Sequence, residues 1–295
     1  MHHLKVTRES TLFEFLLQGL QGIKKNKLKD YLRQQAISVN GKTVTQFDFS
    51  LKPGDQVGLQ TDKQEAAKQS LRSRLDIIFE DDSLIIINKP AGLLTIATET
   101  EQKKTAYYQV HEYLMRENPR NQKPVFIVHR LDQDASGLIV FAKDIEGKIF
   151  LQENWHEFEK KYFAVVQGIP KERSGTISSW LRESKFLKVY TSPDPSHDAK
   201  HAVTHYQVVR TSGRLCLMEV ALETGRKHQI RVHLASLGHP ILGDEKYGGK
   251  ENAKACKRLA LHSYFLRIAH PKTHKFMEFE TELPPEFESF LKTAP

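Results

Sequence analysis

The sequence predicts an α+β protein in two parts: a small helix–helix–β module, then a larger domain of strands and helices. Three observations predict it. Residues 1–60 carry two short helical patterns followed by turn signals, residues 61–74 are polar apart from alanine and one leucine, and from Leu75 onward strand-length apolar runs alternate with turns and helical stretches. At 295 residues the chain is long enough for one large domain with its own core plus a small one.

In the first part, Thr11 with Glu14 three residues on is a capping-box signature, and Leu12, Phe15 and Leu16 supply the apolar stripe of a first helix. Asn26 is placed to cap a second helix, with Leu28, Tyr31, Leu32 and Gln35 at turn spacing. Its other face holds Lys27, Lys29 and Arg33, and Lys24 and Lys25 stand just ahead of it. Residues 37–44 read as a strand, an Asn40-Gly41 hairpin turn and a returning strand. Pro53-Gly54-Asp55 makes another turn before a short strand at 57–59, and residues 61–74 form a linker.

The larger part, residues 75–295, opens with strands at 77–79 and 84–87 about the Asp81-Asp82 turn, followed by a helix over 106–116. Apolar β runs at 125–128 and 138–142 bracket a polar stretch, 129–137. Further strands fall at 162–167, 203–209 and 215–222. After Gly225 the pattern predicts a helix running to Leu237, where Gly238 ends it.

Lysine and arginine total 44 against 36 acidic residues, a formal net charge of +8. Such a field favours polyanionic partners without requiring one. Cys216 and Cys256 are far apart with no CxxC spacing, which argues against a disulfide framework or a cysteine-based zinc site and suits a reducing cytoplasm. No apolar run approaches the ~20 residues of a membrane span. His2 and His3 have no apolar stretch behind them to make a secretory signal. A cytoplasmic monomer with no membrane contact is the expectation.

Three stretches hold the residues that could carry chemistry. The first is His129-Arg130-Leu131-Asp132-Gln133-Asp134-Ala135-Ser136-Gly137-Leu138, set between two apolar strands. Arg130 and Asp132, two apart on extended chain, point to the same side. Taken alone, the stretch reads more simply as a polar turn with a surface ion pair. In the second, residues 222–233, the apolar stripe of Ile230, Leu234 and Leu237 leaves His228 and Arg231 together on a neighbouring face. By itself that is a solvated basic face with partly buried histidines. The third, Lys160 to Gly168, is a strand that could equally be plain core.

In combination they say more. HRLDxxxSGLxxxAK, KxYxAxVxG and LxTGRxHQIRVHxxxxGHPIxGDxxY, in that order, resemble the sequence blocks of the RluA-type pseudouridine synthases. Asn88-Lys89-Pro90-Ala91-Gly92-Leu93 resembles the block that opens their catalytic domain, and residues 1–60 are similar to the S4-like RNA-binding domain many members carry. Ala135 and Lys227 depart from the family, which usually has threonine at both places. The resemblance implies a catalytic domain over 75–295 built on a mixed, largely antiparallel sheet flanked by helices. It implies that Asp132 is the catalytic aspartate, that Arg231 pairs with it, that Tyr162 packs against the target base, and that Arg130 fills the gap left by a flipped uridine. The basic residues Lys24, Lys25, Lys27, Lys29 and Arg33 would then contact RNA. Large-subunit ribosomal RNA is the favoured substrate, because S4-bearing relatives commonly act there, with transfer RNA second.

The implied reaction breaks the N1–C1′ bond of uridine, turns the uracil and joins C5 to C1′. Nothing is added or lost, so no redox or group-transfer cofactor is called for. A carboxylate can act as a nucleophile at C1′ or as a base on the sugar, and both roles remain open for Asp132. A simple glycosidase normally needs a second carboxylate and a water, and Asp134, the nearby candidate, reads as turn chemistry. Arg231 suits the partner's role because a guanidinium stays charged and can bind a carboxylate through two parallel bonds. A silent RNA-binding protein would be expected to have lost the aspartate or its arginine, and both are present. His197, His201 and His205 recur every four residues, but a strand over 203–209 would keep them from facing one way, so no metal site is expected.

Overall fold

In the computed structural model the chain divides into two compact units, residues 1–73 and 74–295. The structure describes residues 2–19, 25–33, 36–59, 75–117, 124–185, 188–192, 194–195, 198–254, 256 and 258–293. The linker expected over 61–74, with Lys24, Gln35 and His197, lies outside them.

The first unit contains strands β1 (His2–Lys5) and β2 (Ser10–Thr11), helices α1 (Leu12–Gly19) and α2 (Lys25–Arg33), and strands β3 (Ile37–Val39), β4 (Lys42–Thr43), β5 (Ser50–Leu51) and β6 (Gln56–Leu59). Strands β1, β6, β3 and β4 form one sheet in that order, and β2 pairs with β5. The capping box is reciprocal: the Glu14 N–H donates to Thr11 Oγ1 at 3.3 Å and the Thr11 N–H to Glu14 Oε2 at 3.4 Å. Asn40 and Gly41 have φ of 49° and 80°, the pair of positive values that a two-residue β3–β4 hairpin turn demands. Asn26 does not cap α2. The helix already includes Lys25, which turns Leu28, Tyr31 and Leu32 inward and leaves Asn26 exposed.

The second unit begins with β7 (Ile77–Glu80), β8 (Leu84–Lys89), α3 (Ala106–Glu117), β9 (Phe126–Ile127), β10 (Ser136–Ala142) and α4 (Ile145–Glu153). It continues with β11 (Glu159–Gln167), β12 (Ser174–Glu183), β13 (Val189–Ser192), β14 (Lys200–Ser212), β15 (Leu215–Leu222), α5 (Gln229–Ser236) and α6 (Glu245–Lys254, kinked at Gly249). It ends with β16 (Leu261–Ala269), β17 (Phe276–Glu280) and α7 (Pro285–Thr293). Its strands form one mixed sheet in the order β13-β12-β14-β15-β11-β16-β10-β8-β7, with β17 on β16 and β9 on β10. Among the described strands only β10 and β16 run parallel; every other pairing is antiparallel.

Strand β10 is buried along its whole length because its two faces feed different cores. Leu138, Val140 and Ala142 pack on one side with Leu84 and Ile86 of β8 and Leu151 of α4. Ile139 and Phe141 pack on the other with Ile85, Ile87 and the α3 residues Ala106 and Val110. Each of the larger aliphatic and aromatic side chains here contributes about 1.5–3 kcal/mol on burial. A third core gathers Ala164 and Val166 of β11, Met218 and Val220 of β15, Leu234 of α5 and Phe287 of α7.

Two sequence expectations need correcting here. The strand expected at 125–128 shrinks to Phe126–Ile127, because the His129 ring accepts the Val140 N–H at 3.1 Å where a strand carbonyl would have done so. The helix expected from Gly225 starts only at Gln229. The buried Gln229 side chain accepts from the Arg226 N–H and Thr224 hydroxyl and donates to the Val203 carbonyl, which folds 224–228 into a turn.

The parallel seam has a strict steric requirement. Gly137 sits at φ +116°, and a Cβ there would lie 2.2 Å from the Ser263 carbonyl oxygen of β16. Gly137→Ala is therefore expected to destabilise the unit by at least about 2 kcal/mol, against about 0.5 kcal/mol or less for Gly225→Ala, which meets nothing within 4 Å. Urea unfolding of both variants checks this; equal midpoints would refute it.

Candidate active site

The loop that leads into β10 is tied to the segment after β8 by a ladder of contacts. Thr95 Oγ1 donates to the Leu131 carbonyl at 2.8 Å and accepts the Leu131 N–H at 3.2 Å, and the Gly92 N–H donates to the Gln133 carbonyl at 2.9 Å. Lys89, fully buried at the end of β8, donates to the carbonyls of Pro90, Leu93 and Gln133 at 3.0, 2.7 and 3.0 Å. Burial pulls the Lys89 ammonium down to about 8, opposed by the nearby Asp134 and Asp132 carboxylates. Leu131 turns into the core, so Arg130 and Asp132 on either side of it turn outward.

Asp132 meets α5. Arg231 Nη1 donates to Asp132 Oδ2 at 3.1 Å, while its Nε and Nη2 donate to the two oxygens of Asp244 at 2.8 and 2.9 Å. The Arg231 and Asp244 side chains are 8% and 0% exposed. Burial works against the guanidinium charge, but Asp244 and then Asp132 outweigh it and its pKa is raised. Asp244 is itself fixed by the Lys246 and Tyr247 N–H groups of the first turn of α6. His228 Nε2 lies 3.8 Å from Asp132 Oδ2, and its Nδ1 is 2.8 Å from the Tyr247 hydroxyl.

These groups open onto a cavity of about 350 Å³ whose walls include Arg130, Asp132, Lys160, Tyr162, His228 and Arg231. Tyr162 stands opposite Ser263 in the β11–β16 ladder, and Ser263 is also the register partner of Gly137, so the three line up across adjacent strands. Burial, and Asp132 close by, push the Tyr162 pKa up to about 12, with the neighbouring Ser263 side chain pulling it down. His129 stacks on Trp155 with centroids 4.3 Å apart, and burial, helped by Lys160, takes its pKa down to about 3, so it is a neutral strut in the wall. Lys160, lowered to about 8 by burial, donates to the Trp155 carbonyl at 2.8 Å. Arg130 is exposed at the mouth.

The sequence was compared with known proteins. Residues 83–236 match the family described as RNA pseudouridylate synthase. The chain is 36% identical over 287 residues to an uncharacterized RNA pseudouridine synthase of Bacillus subtilis (strain 168), YhcT, covering 96% of this chain and 92% of that one. The chain belongs to the RNA pseudouridine synthase family. It is also 30% identical over 280 residues to ribosomal large subunit pseudouridine synthase D of Pasteurella multocida (strain Pm70), covering 89% and 84% of the two chains. Among solved structures, human RNA pseudouridylate synthase domain containing 4 superposes with a TM-score of 0.63 at 25% identity, over 78% of this chain and 96% of that one. The α+β fold and the enzyme class, an isomerase acting on RNA, follow from these likenesses and the sheet described above.

Within the pseudouridine synthase unit the structure brings together Asp132, Arg231, Tyr162 and Arg130, as the sequence blocks implied. Lys25, Lys27, Lys29 and Arg33 belong to the other unit, where all four are exposed on α2 and Lys27 Nζ lies 5.9 Å above the Tyr31 ring. Of the histidine series, His201 and His205 do share one side of β14, contrary to expectation, because residues four apart on a strand face alike. They are separated by about 13 Å of strand. Ser178 and Thr176 hydrogen-bond to them respectively. The residues sequence reasoning left without a role are Asp244, Tyr247 and Lys89. The first two are the fixed letters that end the third block and lie beyond the matched segment; Lys89 is the charge that closes the strand after the apolar run 84–87. The two departures are accommodated: Ala135 packs in the core under the cavity and Lys227 pairs with Glu183.

Arg231→Lys tests the three-point grip, since an ammonium cannot hold Asp244 through two parallel bonds and reach Asp132 as well. The expected outcome is a loss of about tenfold or more in the single-turnover rate, with a lowered urea midpoint because the buried Asp244 loses partners. A wild-type rate and an unchanged rate–pH profile would remove Arg231 from this role.

Proposed function

We propose that this pseudouridine synthase converts specific uridines of structured RNA, in the first place large-subunit ribosomal RNA, with Asp132 as the reacting group. The observation that carries the reading is the Asp132 carboxylate at the wall of the cavity, one oxygen on Arg231 and the pocket side lined by Tyr162. A cavity of about 350 Å³ suits a single nucleoside, not a base pair, so the target has to leave its stack. That costs a few kcal/mol, and the exposed Arg130 guanidinium at the mouth is placed to stack in the vacated gap and recover part of it.

The chemistry follows from the groups present. Cleavage of N1–C1′ leaves the electron pair on N1, and the walls of the cavity keep the uracil close while it turns. C5 then bonds to C1′, the C5 proton departs and N1 regains one, so the sum is an isomerisation. Asp132 serves by attacking C1′ or by taking a proton from the sugar; either role uses the carboxylate oxygen that Arg231 does not hold. Burial favours the protonated phenol, so any C5 proton that Tyr162 accepts has to be matched by loss of its own. The ribosomal target is supported by relatives named for the ribosomal large subunit in Pasteurella multocida and Vibrio cholerae. Residues 1–60, read as an S4-like module ahead of a 75–295 catalytic domain, would hold RNA through Lys25, Lys27, Lys29 and Arg33 on α2. A cytoplasmic monomer needing no cofactor completes the proposal.

Asp132→Asn tests it: the amide is nearly isosteric but neither a base nor a useful nucleophile. RNA binding is expected to persist while pseudouridine formation drops about a thousandfold or more, on RNA from cells lacking the gene and mapped before and after addition of enzyme. Substantial turnover by Asp132→Asn sinks the assignment, a modified transfer RNA moves the target, and release of free uracil makes the enzyme a glycosidase. Tyr162→Phe is expected to bind RNA and cleave the glycosidic bond but to finish slowly, whereas Tyr162→Ala also loses the stacking face, worth about 1–3 kcal/mol. Single-turnover product formation separates the two; a wild-type rate for the Phe variant reduces Tyr162 to packing.

A further inference from the structure

His228 has no part in the reading so far, yet its setting is unusual. It is the N-cap of α5 at φ 55° and ψ 18°, in the left-handed region, and its side chain makes no capping bond. Glycine takes that backbone without steric cost, so the position carries a histidine in spite of its conformation. The ring is wedged in place: Nδ1 lies 2.8 Å from the Tyr247 hydroxyl, and that hydroxyl accepts the Val189 N–H at 3.1 Å. A backbone N–H can only donate, so Val189 fills an acceptor site of the phenol oxygen and leaves the phenol proton free to be given to Nδ1. With Tyr247 donating, the neutral imidazole holds its own proton on Nε2. Burial lowers the His228 pKa, with Asp132 pulling the other way, and burial raises that of Tyr247, so a neutral ring and an intact phenol belong together.

Nε2 looks toward Asp132 Oδ2, 3.8 Å away, the same oxygen that accepts from Arg231 at 3.1 Å. No hydrogen bond reaches Oδ1 among the described residues. Tyr247 links the two donors, since the Arg231 guanidinium carbon lies 5.2 Å from the centre of its ring while its hydroxyl orients the imidazole.

We infer that His228 is a positioning residue: its Nε2–H, locked by Tyr247, closes on Asp132 Oδ2 when RNA fills the pocket, pinning that oxygen between His228 and Arg231 and presenting the other to the ribose. This rests on Asp132 being the reacting group.

The test uses three substitutions in the full chain. His228→Asn puts an amide where Nδ1 was and removes the donor to Asp132. His228→Gly removes the ring and suits the backbone. His228→Gln places an amide nitrogen where Nε2 was. The substrate is large-subunit ribosomal RNA from cells lacking the gene, or whichever RNA of that strain gains pseudouridine when wild-type enzyme is added. Loss of a hydrogen bond to a charged group predicts a single-turnover rate about 10- to 100-fold lower for Asn and Gly, with the RNA Kd changed by less than about twofold. Gln should recover the rate to within about fivefold of wild type. Near-wild-type rates for Asn and Gly overturn the inference, as does a Gln variant no better than Asn, or an effect confined to Kd. Should Asn and Gln fail to fold by thermal unfolding, Gly and Tyr247→Phe decide: both are expected to slow turnover, and an unchanged rate in both overturns it. Asp132→Asn runs alongside. An active Asp132→Asn enzyme defeats the reading of the site, whereas an inactive one beside an unimpaired His228→Asn defeats this inference alone.

Discussion

The pocket depends on one buried ion pair, Arg231 with Asp244. Removing both charges from water is costly, and breaking such a pair by deleting one partner typically costs about 3–5 kcal/mol because a bare charge is left inside. The fold meets that demand with geometry. Asp244 follows Gly243, whose φ of +81° lets the chain pass where a Cβ would come within 2.0 Å of the Arg258 carbonyl. The carboxylate thus arrives at the start of α6, where two backbone N–H groups and the helix dipole share its charge with the guanidinium. Arg231, in turn, is fixed in its rotamer before any substrate arrives.

A guanidinium has a fixed fork, and how its donors are divided sets what Asp132 can do. Asp244 takes Nε and Nη2; only Nη1 is directed at Asp132. The Asp132 carboxylate is therefore held at one oxygen, while that of Asp244 is held at both. Had the bidentate side of the fork faced Asp132, both its oxygens would have been engaged and neither free to react. Lys89 acts from behind in a similar spirit. Its ammonium is spent on three backbone carbonyls, and the Asp132 and Asp134 charges reach it through space, so it supports the loop without covering the reacting face.

Much of this was legible in the sequence because it is local. The capping box at Thr11 and Glu14, the Asn40-Gly41 turn and the run of apolar residues in β10 each depend on neighbours within a few positions. Asp132, Arg231 and Tyr162 were legible through their blocks. What escaped is what spans distance or replaces a backbone partner with a side chain. His129 takes over a strand hydrogen bond and shortens β9; Gln229 gathers donors and acceptors from two other segments and delays α5. Neither event has a period. The separation of 99 positions from Asp132 to Arg231 carries no pattern that announces their contact, and the role of Asp244 appears only once the turn at Gly243 has brought it back to Arg231.

The arrangement also explains why so small a set of side chains suffices. The reaction consumes no second substrate and changes no net charge, so the site has only to stabilise charge that moves within one nucleoside. Preorganised donors do that well where water is scarce, because they need no reorganisation when the charge shifts. Here the fixed elements are β strands and the first turns of two helices, and the loop bearing Asp132 is fastened to the segment after β8 by hydrogen bonds at Leu131 and Gln133. Arg130, by contrast, is exposed at the edge of the cavity. The floor of the pocket is thus set by the fold itself, ahead of any contact with RNA.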